Sequence, residues 1–174
     1  MTHLLKTIFS TFIILTLVLS SYSHANNISD NLTAKNAKQY SEKFIVGGQP
    51  SKQDLIILSK NGIKTVINLR GEGEFNDFDE KSKVEALGMS YISLPISGAS
   101  GINKKNLALF SEAIENPGQA FVHCASGNRV GAMFALDAHF NQDKNLEDAI
   151  TIGKNSGLTR LEAKVRKVIT EKQF

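Results

Sequence analysis

Tryptophan is absent from this 174-residue sequence, and cysteine occurs only once, as Cys124. A lone cysteine cannot form a disulfide within the chain, so it is either a buried apolar side chain or a reactive thiol. Histidine is scarce as well, with four residues, and no group of Cys and His has the spacing of a metal site. The sequence therefore predicts no metal and no other cofactor.

Long runs of Lys and Arg are also missing. The 20 basic and 17 acidic residues are interspersed and give a net charge of only +3, which does not favour a nucleic-acid partner. The length suits one domain with its own core, and a hydrophobic content of 41% is ordinary for a globular protein. The composition carries no signal for an oligomeric state.

Residues 1–25 have the organisation of a secretory signal peptide. A basic start at Lys6 precedes an apolar run over residues 8–19, and Ser23 and Ala25 supply the small residues that a signal peptidase reads. The alternative, an uncleaved membrane anchor, is disfavoured because the run is shorter than the ~20 residues that a bilayer span needs. We therefore expect cleavage after about Ala25, a periplasmic or secreted protein, and no membrane attachment afterwards.

The rest of the chain divides into a polar segment and a patterned domain. Residues 26–43 are weakly patterned, which predicts a linker or a loosely attached arm with one helical turn. From residue 44 to 174, short apolar runs at 44–46, 65–69, 91–95 and 120–122 alternate with helical patterns. This alternation predicts a single α/β domain, with a mostly parallel central sheet of about four to five strands and helices on both faces.

Two of the predicted helices begin with a capping signal. Ser51 is followed three residues later by Asp54, and Thr159 is followed by Glu162. In such a capping box, the first side chain accepts a hydrogen bond from the backbone of the third helical residue, whose own side chain reaches back. We expect both pairs to start a helix in this way.

The stretch Ala120–Gly131 carries the clearest functional signal. An apolar strand ends at Cys124, residues 125–128 are small or turn-forming, and Arg129 opens an apolar-periodic helix. Ligands of parallel sheets bind at the carboxyl ends of the strands, and the first amides of a helix attract anions. Such surroundings favour a thiolate over a thiol and can hold an oxyanion.

Cleavage of a phosphate ester by a thiolate needs a nucleophile, a cradle of donors for the phosphoryl oxygens and a two-pronged cation. Cys124 supplies the nucleophile, and Arg129 supplies a guanidinium that can bind two phosphoryl oxygens at once. His123 can orient the loop by hydrogen bonding without transferring a proton, and Gly131 would allow close packing at the start of the helix. The predicted cradle consists of the amides of Ala125, Ser126, Gly127, Asn128 and Arg129.

The segment His123–Arg129 resembles the signature loop of Cys-dependent protein tyrosine and dual-specificity phosphatases. Three upstream segments, 48–51, 62–70 and 91–95, are similar to the bacterial dual-specificity-like group, especially the small branch also found fused to β-lactamase-like hydrolases. The resemblance implies the phosphatase fold, a nucleophilic Cys124, a phosphate-binding Arg129 and a phosphorylated substrate, either a protein or a small molecule.

Three features depart from that family pattern. Four residues separate Cys124 from Arg129 instead of five, and a loop of this shorter length is also used by rhodanese-type sulfurtransferases, whose cysteine carries a persulfide. Val130 replaces the Ser or Thr that usually follows the arginine. The segment 96–100 contains no carboxylate where the usual general-acid Asp is expected.

A general acid could instead come from the loop after the strand at 65–69. Glu74 and Glu72 are the candidates nearest the end of that strand, although the interpretation as solvated loop acids is favoured because most surface charges have no specific role. Arg70 ends the same strand and either widens the anion site or forms an ion pair with Glu74.

Three functions remain open from the sequence. The first is an exported phosphatase that acts on phosphate monoesters through a phosphocysteine intermediate. The second is a rhodanese-like sulfurtransferase that uses a persulfide on Cys124. The third is an inactive module that binds an anion or a partner.

Overall fold

A five-stranded sheet forms the centre of the protein. The structure is a computed structural model that describes residues 27–171, and the predicted signal peptide and its cleavage site lie outside these residues. The strands occur in the spatial order β1-β2-β5-β3-β4, with β1 antiparallel to β2 and the other neighbours parallel. Their bounds are β1 Lys38–Gln39, β2 Phe44–Gly47, β3 Thr65–Asn68, β4 Ser90–Ser93 and β5 Ala120–His123.

Helices cover both faces of the sheet. Helices α1 and α2 lie on one face, and α4 contacts α3, α5 and α6 on the other. Their bounds are α1 Lys52–Lys60, α2 Glu80–Ala86, α3 Lys104–Glu115, α4 Asn128–Phe140, α5 Leu146–Asn155 and α6 Glu162–Thr170. Within residues 27–171, none of the helices has the length and apolar character that crossing a membrane requires.

The central strand β5 contributes to the hydrophobic cores on both faces. Phe121 packs with Leu55 and Leu58 of α1, whereas Ala120 and Val122 pack with the cluster that contains α4. Successive side chains of a strand point to opposite faces, so a continuous apolar run is expected where both faces are covered. The observed fold therefore confirms the predicted mostly parallel α/β architecture.

The segment that we predicted as a linker or loosely attached arm is part of the fold from residue 27 onward. A short 3-10 helix, Ile28–Asn31, matches the predicted helical turn. Strand β1 then pairs with β2, and the backbone N–H and hydroxyl of Thr33 donate to the Asp54 carboxylate at 2.7 and 2.8 Å. The prediction missed these contacts because they join residues far apart in sequence.

The two capping predictions have different outcomes. Ser51 and Asp54 form the predicted capping box at the start of α1. Helix α6 begins after Leu161 without a side-chain cap, so the capping box predicted for Thr159 and Glu162 is wrong. The backbone N–H of Thr159 instead donates to Oδ1 of Asn128, 2.8 Å away, which draws this segment toward the start of α4.

Candidate active site

Cys124 lies directly after β5, at the carboxyl end of the central strand. Its side chain is buried, and the backbone N–H of Gly127 donates to Sγ over 3.2 Å. Gly127 adopts φ 87° and forms the N-cap of α4, a left-handed conformation that residues with a Cβ rarely adopt. The turn therefore directs a backbone donor at the sulfur.

Residues of the N-terminal segment support this loop from outside. The Nδ2 of Asn36, a residue with φ 57°, donates to the carbonyl of Ser126 at 3.0 Å. Gly48 forms an isolated β-bridge with Ser126 and donates its N–H to the carbonyl of Lys35. Sequence reasoning missed Asn36, because only the tertiary structure brings it next to the loop.

Arg129 lies in the first turn of α4, and groups from two loops, one after β3 and one after β4, hold its side chain. Its Nη1 donates to the carbonyls of Ile96 and Leu69 at 2.9 and 3.3 Å. Its Nη1 and Nη2 also form a bidentate ion pair with the carboxylate of Glu74, at 2.7 and 2.5 Å. These contacts fix the plane of the guanidinium beside Cys124.

The ion pair changes the proton affinity of both partners. The bond from Arg129 is the main cause that lowers the pKa of Glu74, and the backbone N–H of Gly71, 2.7 Å from Oε1, adds to it. The same ion pair is the main cause that raises the pKa of Arg129, and Cys124 contributes in the same direction. At neutral pH, Glu74 is therefore an ionised partner of Arg129 in this structure.

A cavity of about 370 Å³ opens beside Cys124. The loop contributes Cys124, Ala125, Ser126, Asn128 and Arg129 to its walls, whereas the predicted cradle residue Gly127 does not line it. The remaining wall residues are Glu74, Gly98, Arg160 and Leu161. Four of the five predicted cradle residues and Glu74 thus meet at one cavity, together with Arg160, which sequence reasoning did not select.

The start of α4 is packed tightly against the loop that precedes α6. A Cβ on Gly131 would lie 1.9 Å from the backbone nitrogen of Leu158, which matches the close packing predicted there. Gly157 approaches Gly127 closely as well, since a Cβ on it would lie 2.8 Å from the Gly127 carbonyl oxygen. The Asn128 side chain accepts from the N–H groups on either side of Arg160. This packing fixes the backbone that carries Arg160 at the cavity.

Glu72 and Arg70 are not brought to this cavity. Both line a separate cavity of about 570 Å³ that does not include Cys124. Arg70 forms its ion pair with Glu80 at 2.5 Å, so the predicted pairing with Glu74 is wrong. The guanidinium also lies over the ring of Phe75, 4.8 Å from its centroid. Among the two candidate acids, only Glu74 is near the loop.

His123 belongs to a buried network behind the loop. Its Nε2 lies 2.7 Å from Oε1 of Glu80, whose other oxygen accepts from Arg70 and from Gln49. The ring stacks on Phe121 with a centroid distance of 5.4 Å. His123 therefore lies in this network at the end of β5 and does not line the cavity, and its role in orienting the loop stays a prediction. The partner Glu80 had no distinguishing signal in the sequence.

The charge of Glu80 is maintained against its burial. Burial is the largest influence and by itself would raise the pKa of this carboxyl. The close approach of His123, the hydrogen bond from Gln49 and the charge of Arg70 together outweigh it, so the pKa of Glu80 lies below its ordinary value. A buried charge of this kind is tolerated because several partners satisfy it.

Two of the three departures from the phosphatase pattern, the missing carboxylate and the valine after Arg129, are visible in the structure. The loop after β4 does reach the site, but it contributes the carbonyl of Ile96 and the surface of Gly98 and no carboxylate. Val130 is fully buried in the core that contains α4. No hydroxyl at that position is available to the sulfur.

The arrangement is suited to anion chemistry. A sulfur that accepts a backbone hydrogen bond, loop residues and a fixed guanidinium surround one cavity. Within the described part of the chain, His, Cys, Asp and Glu residues form no group that could hold a metal ion.

Comparison with known proteins identifies the family. Residues 17–170 match the family described as DSP-PTPase phosphatase fused to NAD+ kinase. The β-lactamase hydrolase-like protein of Agrobacterium fabrum is 31% identical over 126 residues, which cover 70% of this chain and 29% of that protein. The protein of the same name from Xylella fastidiosa is 29% identical over 122 residues, with 67% and 28% covered. The chain thus spans less than a third of the length of these relatives.

Solved structures share the fold at low sequence identity. A DUF442 protein from Shewanella putrefaciens superimposes with a TM-score of 0.61 at 20% identity, covering 81% of this chain and 95% of that chain. The core catalytic domain of the PP-IP phosphatase SIW14 from S. cerevisiae, solved with citrate, gives 0.61 at 14% identity, covering 79% and 85%. P. aeruginosa TpbA, solved with phosphotyrosine, gives 0.54 at 17%, covering 75% and 80%.

These findings agree with the resemblance that the loop and its upstream segments indicated. The family match extends over most of the chain, and the two relatives carry the name β-lactamase hydrolase-like protein. The sheet, with Cys124 after its central strand, has the phosphatase-like architecture of the solved neighbours. The chain belongs to the DSP-PTPase phosphatase family that is described as fused to NAD+ kinase.

Proposed function

We propose that this protein is an exported Cys-dependent phosphatase of the protein tyrosine and dual-specificity type, which hydrolyses phosphate monoesters through a phosphocysteine intermediate. The observation that carries this proposal is the shared cavity of Cys124 and Arg129, in which a backbone N–H meets the sulfur and the guanidinium is fixed in one plane. A thiolate nucleophile next to a planar, bidentate cation is suited to phosphoryl transfer.

In the first step, the Cys124 thiolate attacks phosphorus, a P–S bond forms, and the ester P–O bond breaks. The loop amides and Arg129 stabilise the charge on the phosphoryl oxygens, and the leaving oxygen takes up a proton. In the second step, water attacks phosphorus, the P–S bond breaks, and orthophosphate and the thiolate are released. The residue at position 130 offers no hydroxyl to the departing thiolate, since it is a buried valine.

Glu74 acts in this proposal as a positioning residue for Arg129. It binds both terminal nitrogens of the guanidinium, and the ion pair keeps its pKa below the ordinary range. An ionised carboxylate cannot donate a proton, so the leaving group would take its proton from water. The role of displaced general acid that the sequence predicted for Glu74 is the competing hypothesis.

The substrate is a phosphorylated protein or small molecule. TpbA was solved with phosphotyrosine, and SIW14 acts as a PP-IP phosphatase, so related folds accept different phosphorylated compounds. Export is proposed from the organisation of residues 1–25 as a signal peptide. Sequencing the N-terminus of the protein recovered from the periplasm or medium tests it, and a start at Met1 in the cytoplasm would contradict it.

Two assays on the purified protein separate the proposed functions. Vanadate-sensitive release of phosphate from p-nitrophenyl phosphate is expected, together with no thiocyanate from thiosulfate and cyanide. The six-residue span Cys124–Arg129 keeps the sulfurtransferase as the second candidate, and thiocyanate formation without phosphate release would establish it instead. Binding of phosphate without turnover in either assay would favour the inactive module.

Replacing Glu74 by Gln is expected to lower kcat/KM on the order of tenfold, because one charge-assisted contact that fixes Arg129 is weakened. The loss should be the same for p-nitrophenyl phosphate and for phenyl phosphate, a poorer leaving group. Asp77→Asn is the matched control, since it removes an exposed carboxylate from the same loop. A much larger loss for phenyl phosphate would show that Glu74 is the general acid after all.

A further inference from the structure

Among the described residues 27–171, Arg160 differs from the other arginines in having no carboxylate partner. Arg70 pairs with Glu80, Arg129 with Glu74, and Arg166 with Glu147 and Glu162. Within residues 27–171, no Asp or Glu lies within ion-pair distance of Arg160. Arg160 is an exposed residue. An unpaired guanidinium retains its full capacity to bind an anion.

The nearest acid in sequence is already engaged. Glu162 is 3.0 Å from Nζ of Lys154 and 2.9 Å from Nε of Arg166, so two cations compete for it. At the cavity itself, the charge of Arg129 is offset by Glu74. Arg160 is therefore the uncompensated positive charge among the residues that line the cavity of Cys124.

The backbone that carries Arg160 is held in place by the start of α4 and the turn before it. Oδ1 of Asn128 accepts from the N–H of Thr159 at 2.8 Å and from that of Leu161 at 3.3 Å. The close approach of Gly157 to Gly127 fixes the same segment from its other end. A backbone anchored on both sides of Arg160 places the cation at a defined side of the cavity rather than on a free loop.

The wall residues also favour a compact anionic ligand over an aromatic one. The described residues that line this cavity include no Phe, Tyr or His, and Leu161 is the one large apolar side chain among them. An aryl leaving group gains most from aromatic and aliphatic walls, whereas a second charged group gains from an unpaired guanidinium.

We propose that Arg160 is a specificity-determining residue that binds a second anionic group of the substrate, next to the phosphate held by the loop and Arg129. The preferred substrates are then phosphate esters that carry a second phosphate or carboxylate close to the scissile bond. The role of Arg160 in substrate specificity rests on the proposed phosphatase function. The binding preference itself is measured without turnover.

Calorimetric titration of the full chain with orthophosphate and with pyrophosphate tests the assignment. Pyrophosphate should bind roughly tenfold or more tightly than orthophosphate to the wild type, since one charge-assisted contact is gained. Arg160→Gln should remove most of this preference, and Arg160→Lys should retain part of it because the charge is kept. Lys60→Gln, which removes an exposed cation from α1, is the matched control and should leave the ratio of the two dissociation constants unchanged.

An equal affinity of the wild type for both anions, or an Arg160→Gln variant that keeps the preference, would overturn the assignment. The same holds if pyrophosphate does not bind to the wild type. Turnover of p-nitrophenyl phosphate is measured separately on the same preparation. Turnover without a pyrophosphate preference would reject only the role of Arg160, whereas a preference without turnover would reject only the phosphatase function.

Discussion

Replacing Cys124 by Ser is expected to reduce phosphate release from p-nitrophenyl phosphate by ~10³-fold or more, while the protein remains folded. A serine hydroxyl is a far weaker nucleophile than a thiolate, and the nearby groups that stabilise a charged sulfur do not ionise a hydroxyl. The substitution is nearly isosteric, so the N–H of Gly127 can donate to the new oxygen as it does to Sγ. Initial rates over the neutral pH range measure the loss.

Two measurements make this result specific to chemistry. The thermal midpoint of Cys124→Ser should lie close to that of the wild type, and orthophosphate should still bind, because the loop amides and Arg129 are retained. Ser90→Ala provides a control, since it removes an exposed hydroxyl from the start of β4, at the opposite end of the parallel strands from Cys124. Turnover that survives in Cys124→Ser would place the nucleophile elsewhere and remove the phosphocysteine intermediate.

The loop Cys124–Arg129 could be predicted from sequence because its determinants are local. The strand that ends at Cys124, the small turn residues, and the helix that starts near Arg129 are all consecutive, and hydrophobic periodicity shows each transition. Gly127 indeed adopts the left-handed conformation that a tight turn requires. The same holds for Ser51 and Asp54, whose three-residue spacing specifies a cap without reference to the rest of the fold.

Contacts between distant segments could not be predicted in this way. Strand β1 has two residues, Lys38 and Gln39, without apolar alternation, so only its pairing with β2 defines it as a strand. Asn128 was expected to contribute its amide to the cradle, yet its side chain ties α4 to the loop before α6. That contact also explains the failed capping box, because the backbone N–H of Thr159, which the Glu162 side chain would accept in such a box, donates to Asn128 instead.

The same limitation applies to the charges around the site. The acids after β3 were correctly located at the sheet edge, but their partners depend on side-chain directions that a single sequence does not show. Glu74 turns to Arg129, and Glu80, the first residue of α2, turns inward to Arg70 and His123. Two ion pairs therefore flank the end of β3, one at the cavity and one behind it, and they differ in how much they contribute to stability.

The buried pair should matter most for stability. Replacing Glu80 by Ala is expected to lower the free energy of unfolding by about 3–5 kcal/mol, because Arg70 and His123 would remain in the interior without their common partner. Urea unfolding at neutral pH measures this change. The matched control is Glu85→Ala on the same helix, whose exposed pair with Lys81 spans 3.9 Å and should contribute less than about 0.5 kcal/mol.

The pH dependence of the unfolding free energy tests whether the charge of Glu80 stabilises the fold. The pKa of Glu80 is lower in the folded state than in the unfolded chain, so its ionisation stabilises the fold above the ordinary glutamate pKa. This contribution is lost as the pH falls through the lower, folded-state pKa. The difference in unfolding free energy between the wild type and Glu80→Gln should therefore narrow in acid. A difference that stays constant down to acidic pH would mean that packing, rather than the charge of Glu80, stabilises the wall behind Cys124.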